Sequence, residues 1–280
     1  MKILVTGSSG QLGTDVVALL KERGHTVIPA DLPEFDITDK ECVENFIEKN
    51  SPDALIHLAA YTAVDKAESE KEICRRVNAQ GTENIAKVCG EKGIKMLYTS
   101  TDYVFGGDGE NFFETDSPVN PCNVYGETKL AGEEAVKKYC NEYFIVRISW
   151  VFGIHGKNFV YTMLKLSETK DELNVVADQV GSPTFTPDLS RLIGDMIVTS
   201  KYGTYHATNE GICSWAEFAL EIMKQNGRQT KINPIPTANY PTPAKRPLNS
   251  RMSKASLDEA GFERLPHWKD ALKRFSEQIS

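Results

Sequence analysis

No Cys-x-x-Cys pair occurs in this 280-residue chain; its six cysteines, Cys42, Cys74, Cys89, Cys122, Cys140 and Cys213, are scattered. Such spacing excludes a zinc ribbon or a paired redox motif and fits reduced intracellular thiols. The five histidines, His25, His57, His155, His206 and His267, also lack ligand spacing, so no metal site is expected. No apolar run approaches the roughly 20 residues of a membrane span. Only three apolar residues follow Lys2 before a polar glycine turn, so neither a signal peptide nor an anchor is expected. Positive charge is also in short supply. With 32 Lys and Arg against 39 Asp and Glu, the net charge of −7 argues against general affinity for nucleic acid or an anionic membrane. No internal repeat is evident. A cytoplasmic globular protein is expected, and 40% hydrophobic residues over this length suffice for one extended domain or two unequal ones.

What the chain does have begins at Lys2. The apolar run Ile3-Leu4-Val5 leads into Thr6-Gly7-Ser8-Ser9-Gly10-Gln11-Leu12-Gly13, and Val16, Val17, Leu19 and Leu20 then recur at helical spacing. Three glycines in that strand-turn-helix context suit a dinucleotide diphosphate, held by backbone N–H groups at the helix start. Gly7 would permit the turn, Gly10 the close approach of the cofactor, and Gly13 the packing of helix on sheet.

Short apolar runs then alternate with helical patterns, predicting strands near 2–6, 26–30, 53–58, 95–99 and 144–149. Helices are expected near 11–23, 39–49, 66–90 and 125–140, with Thr38 or Asp39 capping the second. This is the pattern of an α/β, Rossmann-like, doubly wound parallel sheet over 1–150. Beyond 150 the pattern loosens, and Pro183, Pro187, Pro234, Pro236, Pro241, Pro243 and Pro247 punctuate it. A smaller substrate-binding lobe over 151–280 is expected, with some segments returning to the first domain and a long functional loop over Asn233 to Arg251.

Asp31 falls just after the second predicted strand, where a carboxylate can accept from an adenosine ribose and favour NAD. No arginine follows it directly, yet a turned-away Asp31 would admit NADP, so both NADH and NADPH stay open. Asp36-Ile37 is a candidate for the adenine edge, and Ala59-Ala60-Tyr61 for the small-residue passage after the third strand. Packing at strand ends competes with each assignment.

Tyr125 and Lys129 lie four apart and so share a helix face. A phenol with an ordinary pKa of roughly 10 needs a neighbouring ammonium to exchange its proton near neutrality. Roughly one Tyr-x-x-x-Lys is expected by chance in such a chain, and a second, Tyr161 to Lys165, lies in an apolar helix with no hydroxyl placed before it. Thr101 follows the fourth predicted strand, at the sheet edge where open α/β folds bind ligands.

Together these residues resemble the extended short-chain dehydrogenase/reductase superfamily. Ala63-Val64-Asp65-Lys66-Ala67-Glu68, Ser100-Thr101-Asp102-Tyr103-Val104-Phe105, Asn123-Val124-Tyr125-Gly126, Thr128-Lys129-Leu130-Ala131-Gly132-Glu133 and Arg147-Ile148-Ser149-Trp150-Val151 narrow the resemblance to the dTDP-4-dehydrorhamnose reductase family. Asp178-Gln179-Val180-Gly181-Ser182-Pro183-Thr184 and Tyr240-Pro241-Thr242-Pro243-Ala244-Lys245-Arg246-Pro247 extend it past the sheet.

The resemblance implies NAD(P)H-dependent reduction of the C4 ketone of dTDP-4-dehydro-L-rhamnose. In it Tyr125 gives a proton, Thr101 orients the oxygen, and Lys129 stabilises tyrosinate and binds the nicotinamide ribose. It also implies substrate contacts from Asp102, Trp150 and Arg246; Trp150 as a core aromatic and Arg246 as a surface ion pair are the competing assignments. Some members form a magnesium-linked dimer through acidic residues near the C terminus, but Lys269 to Glu277 holds no acidic cluster here. A homodimer through the helices near 66–90 and 125–140 is the alternative arrangement. Two other functions fit the same superfamily: a nucleotide-sugar 4-epimerase and a non-catalytic, cofactor-binding regulatory subunit. A dehydratase is disfavoured because Asp102-Tyr103, not Asp-Glu, follows Thr101.

Overall fold

Alternating apolar residues and amphipathic helices produce a six-stranded parallel sheet in the computed structural model, which describes residues 1–279. The strands are β1 (Lys2–Thr6), β2 (Thr26–Ala30), β3 (Ala54–His57), β4 (Lys95–Thr101), β5 (Tyr143–Ile148) and β6 (Gly203–His206), in the order β6-β5-β4-β3-β1-β2. Successive side chains on a strand face opposite ways. Ile3, Val5, Ile56, Leu97, Phe144 and Val146 therefore meet the helices Gln11–Glu22 and Thr186–Ile197. Leu4, Leu55, Met96 and Ile145 meet Lys40–Asn50, Thr82–Lys92 and Val124–Tyr139 on the other face. Each such buried aliphatic side chain stabilises by about 1.5–3 kcal/mol. The strand order reverses at β1, so the crevice beyond β1 and β3 is the place such a sheet offers a ligand.

A separate core gathers Phe152, Phe185, Phe218, Trp268 and Phe275. It is enclosed by the helices Phe159–Ser167, Trp215–Gln225 and Trp268–Ile279 and the parallel pair Glu172–Val176 with Lys231–Ile235. No helix among the described residues is long and apolar enough to cross a membrane.

The structure corrects the sequence reading at three places. The sheet has a sixth strand beyond the five predicted: β6, in a segment that returns from the second body as expected, pairs outside β5. The expected helix over 66–90 is three pieces, Val64–Ala67, Lys71–Arg75 and Thr82–Lys92, with a π-helical turn over Arg76–Gly81. The widened turn places the Asn78 side chain on the Tyr61 N–H at 2.8 Å and the Thr128 hydroxyl at 3.2 Å, bonds that a regular helical pattern does not encode. The expected loop from Asn233 begins as strand. Pro234 is tolerated because this two-stranded sheet has free edges.

Candidate active site

The glycine turn forms as its spacing requires. Gly7 has φ +67, and a Cβ there would lie 2.7 Å from the Ala59 nitrogen; one on Gly13 would lie 2.0 Å from the Gly7 carbonyl oxygen. Gly13 thus lets the helix close onto its own turn. Gly10 is the N-cap of the Gln11–Glu22 helix, without a side-chain cap and with no acidic residue in the first turn. The first-turn N–H groups are left for an anion from outside, and the donors and open glycine surface fit a dinucleotide diphosphate.

Around this turn the other predicted cofactor residues divide. Asp31 is turned onto the turn itself, accepting from the Ser8 hydroxyl at 2.6 Å and the Ser9 N–H at 2.8 Å. Asp36 accepts from the Thr38 N–H and hydroxyl, Ile37 is buried against Gly81, and Leu12 lies in the core. Gln11 reaches the second body, donating to the Val151 carbonyl at 3.3 Å and accepting from Asn158 at 2.9 Å. Ala59 donates its N–H to Thr6, Ala60 is half-buried beside it, and the Tyr61 hydroxyl donates to Glu70, which holds the phenol up at about 12.

Thr101 ends β4, and Asn123 starts the Val124–Tyr139 helix by accepting from the Gly126 N–H at 2.8 Å. A Cβ on Gly126 would lie 2.2 Å from the Tyr103 carbonyl, so the bare backbone lets this helix dock on the turn after Thr101. The Tyr125 ring packs edge-on against Tyr103, two residues past Thr101, with 5.6 Å between ring centres. The Tyr125 phenol is raised above its ordinary range by burial and by the Asp102 carboxylate, and the Thr101 hydroxyl partly offsets this.

One turn on, Lys129 is 3% exposed, donates to the Thr99 carbonyl at 2.7 Å and lies 4.1 Å from the centre of the Tyr98 ring. Burial lowers its ammonium to about 7. Another turn on, Glu133 forms a two-pronged buried pair with Arg147 at 2.9 and 2.8 Å.

Asp102 is buried beside Thr101, with Ser250 against its other oxygen. Burial pushes its carboxyl up to about 6 against the pull of those two hydroxyls. Ser250 and Asn78 were invisible to spacing arguments, because their partners lie far away in sequence.

Trp150, with φ +49, stacks on Trp215 at 3.8 Å. Arg246 forms a bidentate pair with Asp65 at 3.0 and 2.8 Å. Next to them is a cleft of about 320 Å³ lined by Phe159, Gln179, Trp215, Tyr240 and Arg246. The second tyrosine–lysine pair takes no part: Tyr161 donates its hydroxyl to the Ile154 carbonyl within the second body.

A family model described as RmlD substrate binding domain matches residues 1–280. The chain belongs to the RmlD substrate binding domain family. Among its relatives is the spore coat polysaccharide biosynthesis protein SpsK of Bacillus subtilis, 39% identical over all of this chain and 98% of that protein. The dTDP-4-dehydrorhamnose reductase of Aggregatibacter actinomycetemcomitans is 38% identical, over 97% of each. The crystal structure of the Bacillus anthracis dTDP-4-dehydrorhamnose reductase in complex with NADP superposes on this RmlD-family chain with a TM-score of 0.96, at 40% identity and 99% coverage of both.

Proposed function

We propose that this chain is an NAD(P)H-dependent oxidoreductase that reduces the C4 ketone of dTDP-4-dehydro-β-L-rhamnose to dTDP-L-rhamnose, the final step in making that activated sugar. The placement of Tyr125 against the turn that follows Thr101, at the carboxyl edge of β4, carries this reading, in a chain alike from end to end to named reductases. A reduced nicotinamide dinucleotide supplies the hydride when bound. Gly7, Gly10 and Gly13, with the first-turn N–H groups of Gln11 and Leu12, hold its diphosphate. Asp31, Asp36 and Ile37 flank its adenosine end, and Ala59, Ala60 and Tyr61 line its passage.

Tyr125 delivers a proton to the oxygen that becomes the C4 hydroxyl, while Thr101 orients that oxygen. Lys129, anchored on Thr99, supplies the positive field that lets the phenol release its proton. The body beyond residue 150 holds the nucleotide sugar: Trp150 faces the sugar, and Arg246 exchanges Asp65 for the substrate diphosphate.

The test is loss of 340-nm absorbance with NADPH and, separately, NADH, on dTDP-4-dehydro-L-rhamnose generated in situ. Tyr125→Phe is expected to lower kcat by about 10²–10⁴-fold while still binding cofactor. Undiminished turnover by that variant, or none by the unaltered protein with either nucleotide, would reject the reading.

A further inference from the structure

His57, at the end of β3, is an isolated histidine in the sequence and is fully buried in the fold, its ring stacked on Tyr98 with 5.5 Å between ring centres. Its two nitrogens meet hydroxyls from two other elements. Nδ1 lies 2.7 Å from Thr6 Oγ1 at the end of β1, and Nε2 lies 3.1 Å from Thr82 Oγ1 at the start of the Thr82–Lys92 helix.

Counting protons gives each contact a direction, because a hydroxyl has one proton and two lone pairs. Thr6 Oγ1 accepts from the Ala59 N–H at 3.2 Å and takes a share of the Leu58 N–H, also at 3.2 Å, so its proton is what remains for His57. Thr82 spends its own proton on the Asn78 carbonyl at 2.7 Å and has a lone pair left for the ring. Both ends require the same tautomer, with Nδ1 bare and accepting and Nε2 protonated and donating. Burial first, and the Lys129 ammonium second, hold the imidazole down at about 3, in keeping with a neutral ring.

The bonds continue past Thr82. The Asn78 side chain accepts from the Tyr61 N–H at 2.8 Å and donates to the Tyr61 carbonyl at 3.1 Å and the Thr128 hydroxyl at 3.2 Å. Thr128 donates in turn to the Tyr125 carbonyl at 2.9 Å. On the backbone side, the His57 carbonyl accepts from the Thr99 hydroxyl at 3.3 Å, and the Thr99 carbonyl holds Lys129 Nζ at 2.7 Å. His57 therefore stands between the strand ends that carry the glycine turn and Ala59 to Tyr61, and the helix that carries Tyr125 and Lys129.

We propose that His57, as its neutral Nε2–H tautomer, is a positioning residue that sets the cofactor passage of Ala59, Ala60 and Tyr61 in register with Tyr125 and Lys129. The proposal rests on the reductase reading above, which supplies the cofactor passage. No proton leaves or reaches His57 in the reaction; its part is to hold the two edges of the site in a fixed relation. Thr82 is the narrowest place to cut the connection, since it is 1% exposed and so stands away from any ligand. Thr82→Val removes the hydroxyl and leaves both the Nε2–H and the Asn78 carbonyl without that partner, whereas Thr82→Ser keeps it.

Two measurements test the role. In cofactor-free protein carrying isotope-labelled histidine, nitrogen NMR of the ring that contacts Tyr98 should show a pyridine-type Nδ1 and a pyrrole-type Nε2. Single-turnover oxidation at 340 nm and saturating NADPH should be about tenfold slower in Thr82→Val, and Thr82→Ser should restore most of the rate. A merely structural role would lower the melting temperature of Thr82→Val and leave the rate of the folded protein unchanged. Melting curves show whether Thr82→Val is folded; if it is not, the tautomer decides.

An Nδ1–H ring or an imidazolium overturns the proposal. So does a folded Thr82→Val that reacts at the unaltered rate, or a Thr82→Ser no faster than Thr82→Val. Each of these results leaves the reductase reading intact. No turnover by the unaltered protein overturns that reading itself, and the positioning role with it.

Discussion

A carboxylate at the end of a strand can serve a ligand or its own chain, and Asp31 is engaged by Ser8 and Ser9 of the glycine turn. Replacing it with alanine leaves those donors without their acceptor and loosens the turn. Asp31→Ala is therefore expected to weaken NADPH and NADH binding alike, by about tenfold, in fluorescence titrations. A loss confined to NADH would place the carboxylate on the adenosine ribose instead. The residues legible in the sequence were those with local partners: Gly7, Gly10 and Gly13 within one turn, and Tyr125 with Lys129 on one helix face. Ser250 gave no signal because its partner lies 148 residues away. The Asp65–Arg246 pair spans 181 residues; family likeness pointed to Arg246 as a ligand contact, and spacing offered no view of Asp65.

The Val124–Tyr139 helix carries Tyr125, Lys129 and Glu133 at successive i,i+4 positions, so one face delivers the phenol, the ammonium and an internal anchor. Glu133 is fully buried, and Arg147 from β5 fixes it. Arg147→Met leaves that buried carboxylate with only the partly exposed Lys137, 3.6 Å away, and is expected to cost about 3–5 kcal/mol in urea unfolding. Glu133→Met with Arg147→Met should recover a large part of this loss, because no charge is then stranded. Arg147 also holds the Glu133 carboxyl below its ordinary range against burial. A lowered acid pKa gives stability that is full above the unfolded value and lost as pH falls through the folded one. The double variant should therefore lose less stability on acidification than the unaltered protein.

At this scale the strands β1 to β5 were legible because each combines a short apolar run with a turn signal. The π-turn over Arg76–Gly81 was not, since its extra residue is set by bonds from Asn78 to Tyr61 and Thr128. β6, Gly-Thr-Tyr-His, has no apolar run to announce a sixth strand.

Across the whole molecule, the sheet and the second body are interlaced. Gln11 grips Asn158, Ser250 grips Asp102, and β6 is reached only after the chain has passed through Phe159–Ser167 and Thr186–Ile197. A fragment of residues 1–150 would have β5 as a bare edge, with Phe144 and Val146 stripped of Leu189, Ile193 and Tyr205. It is expected to sediment with insoluble material on expression, whereas the full chain remains in the supernatant; a soluble, cooperatively melting fragment would contradict this. Translation meets the same difficulty in time. Some 55 residues separate β5 from β6, so at about 5–20 residues per second the nascent chain carries an uncapped sheet for roughly 3–11 s. During that interval a holdase at the ribosome exit would have a hydrogen-bonding edge to shield, and slowing synthesis between residues 149 and 206 should lower the yield of native protein.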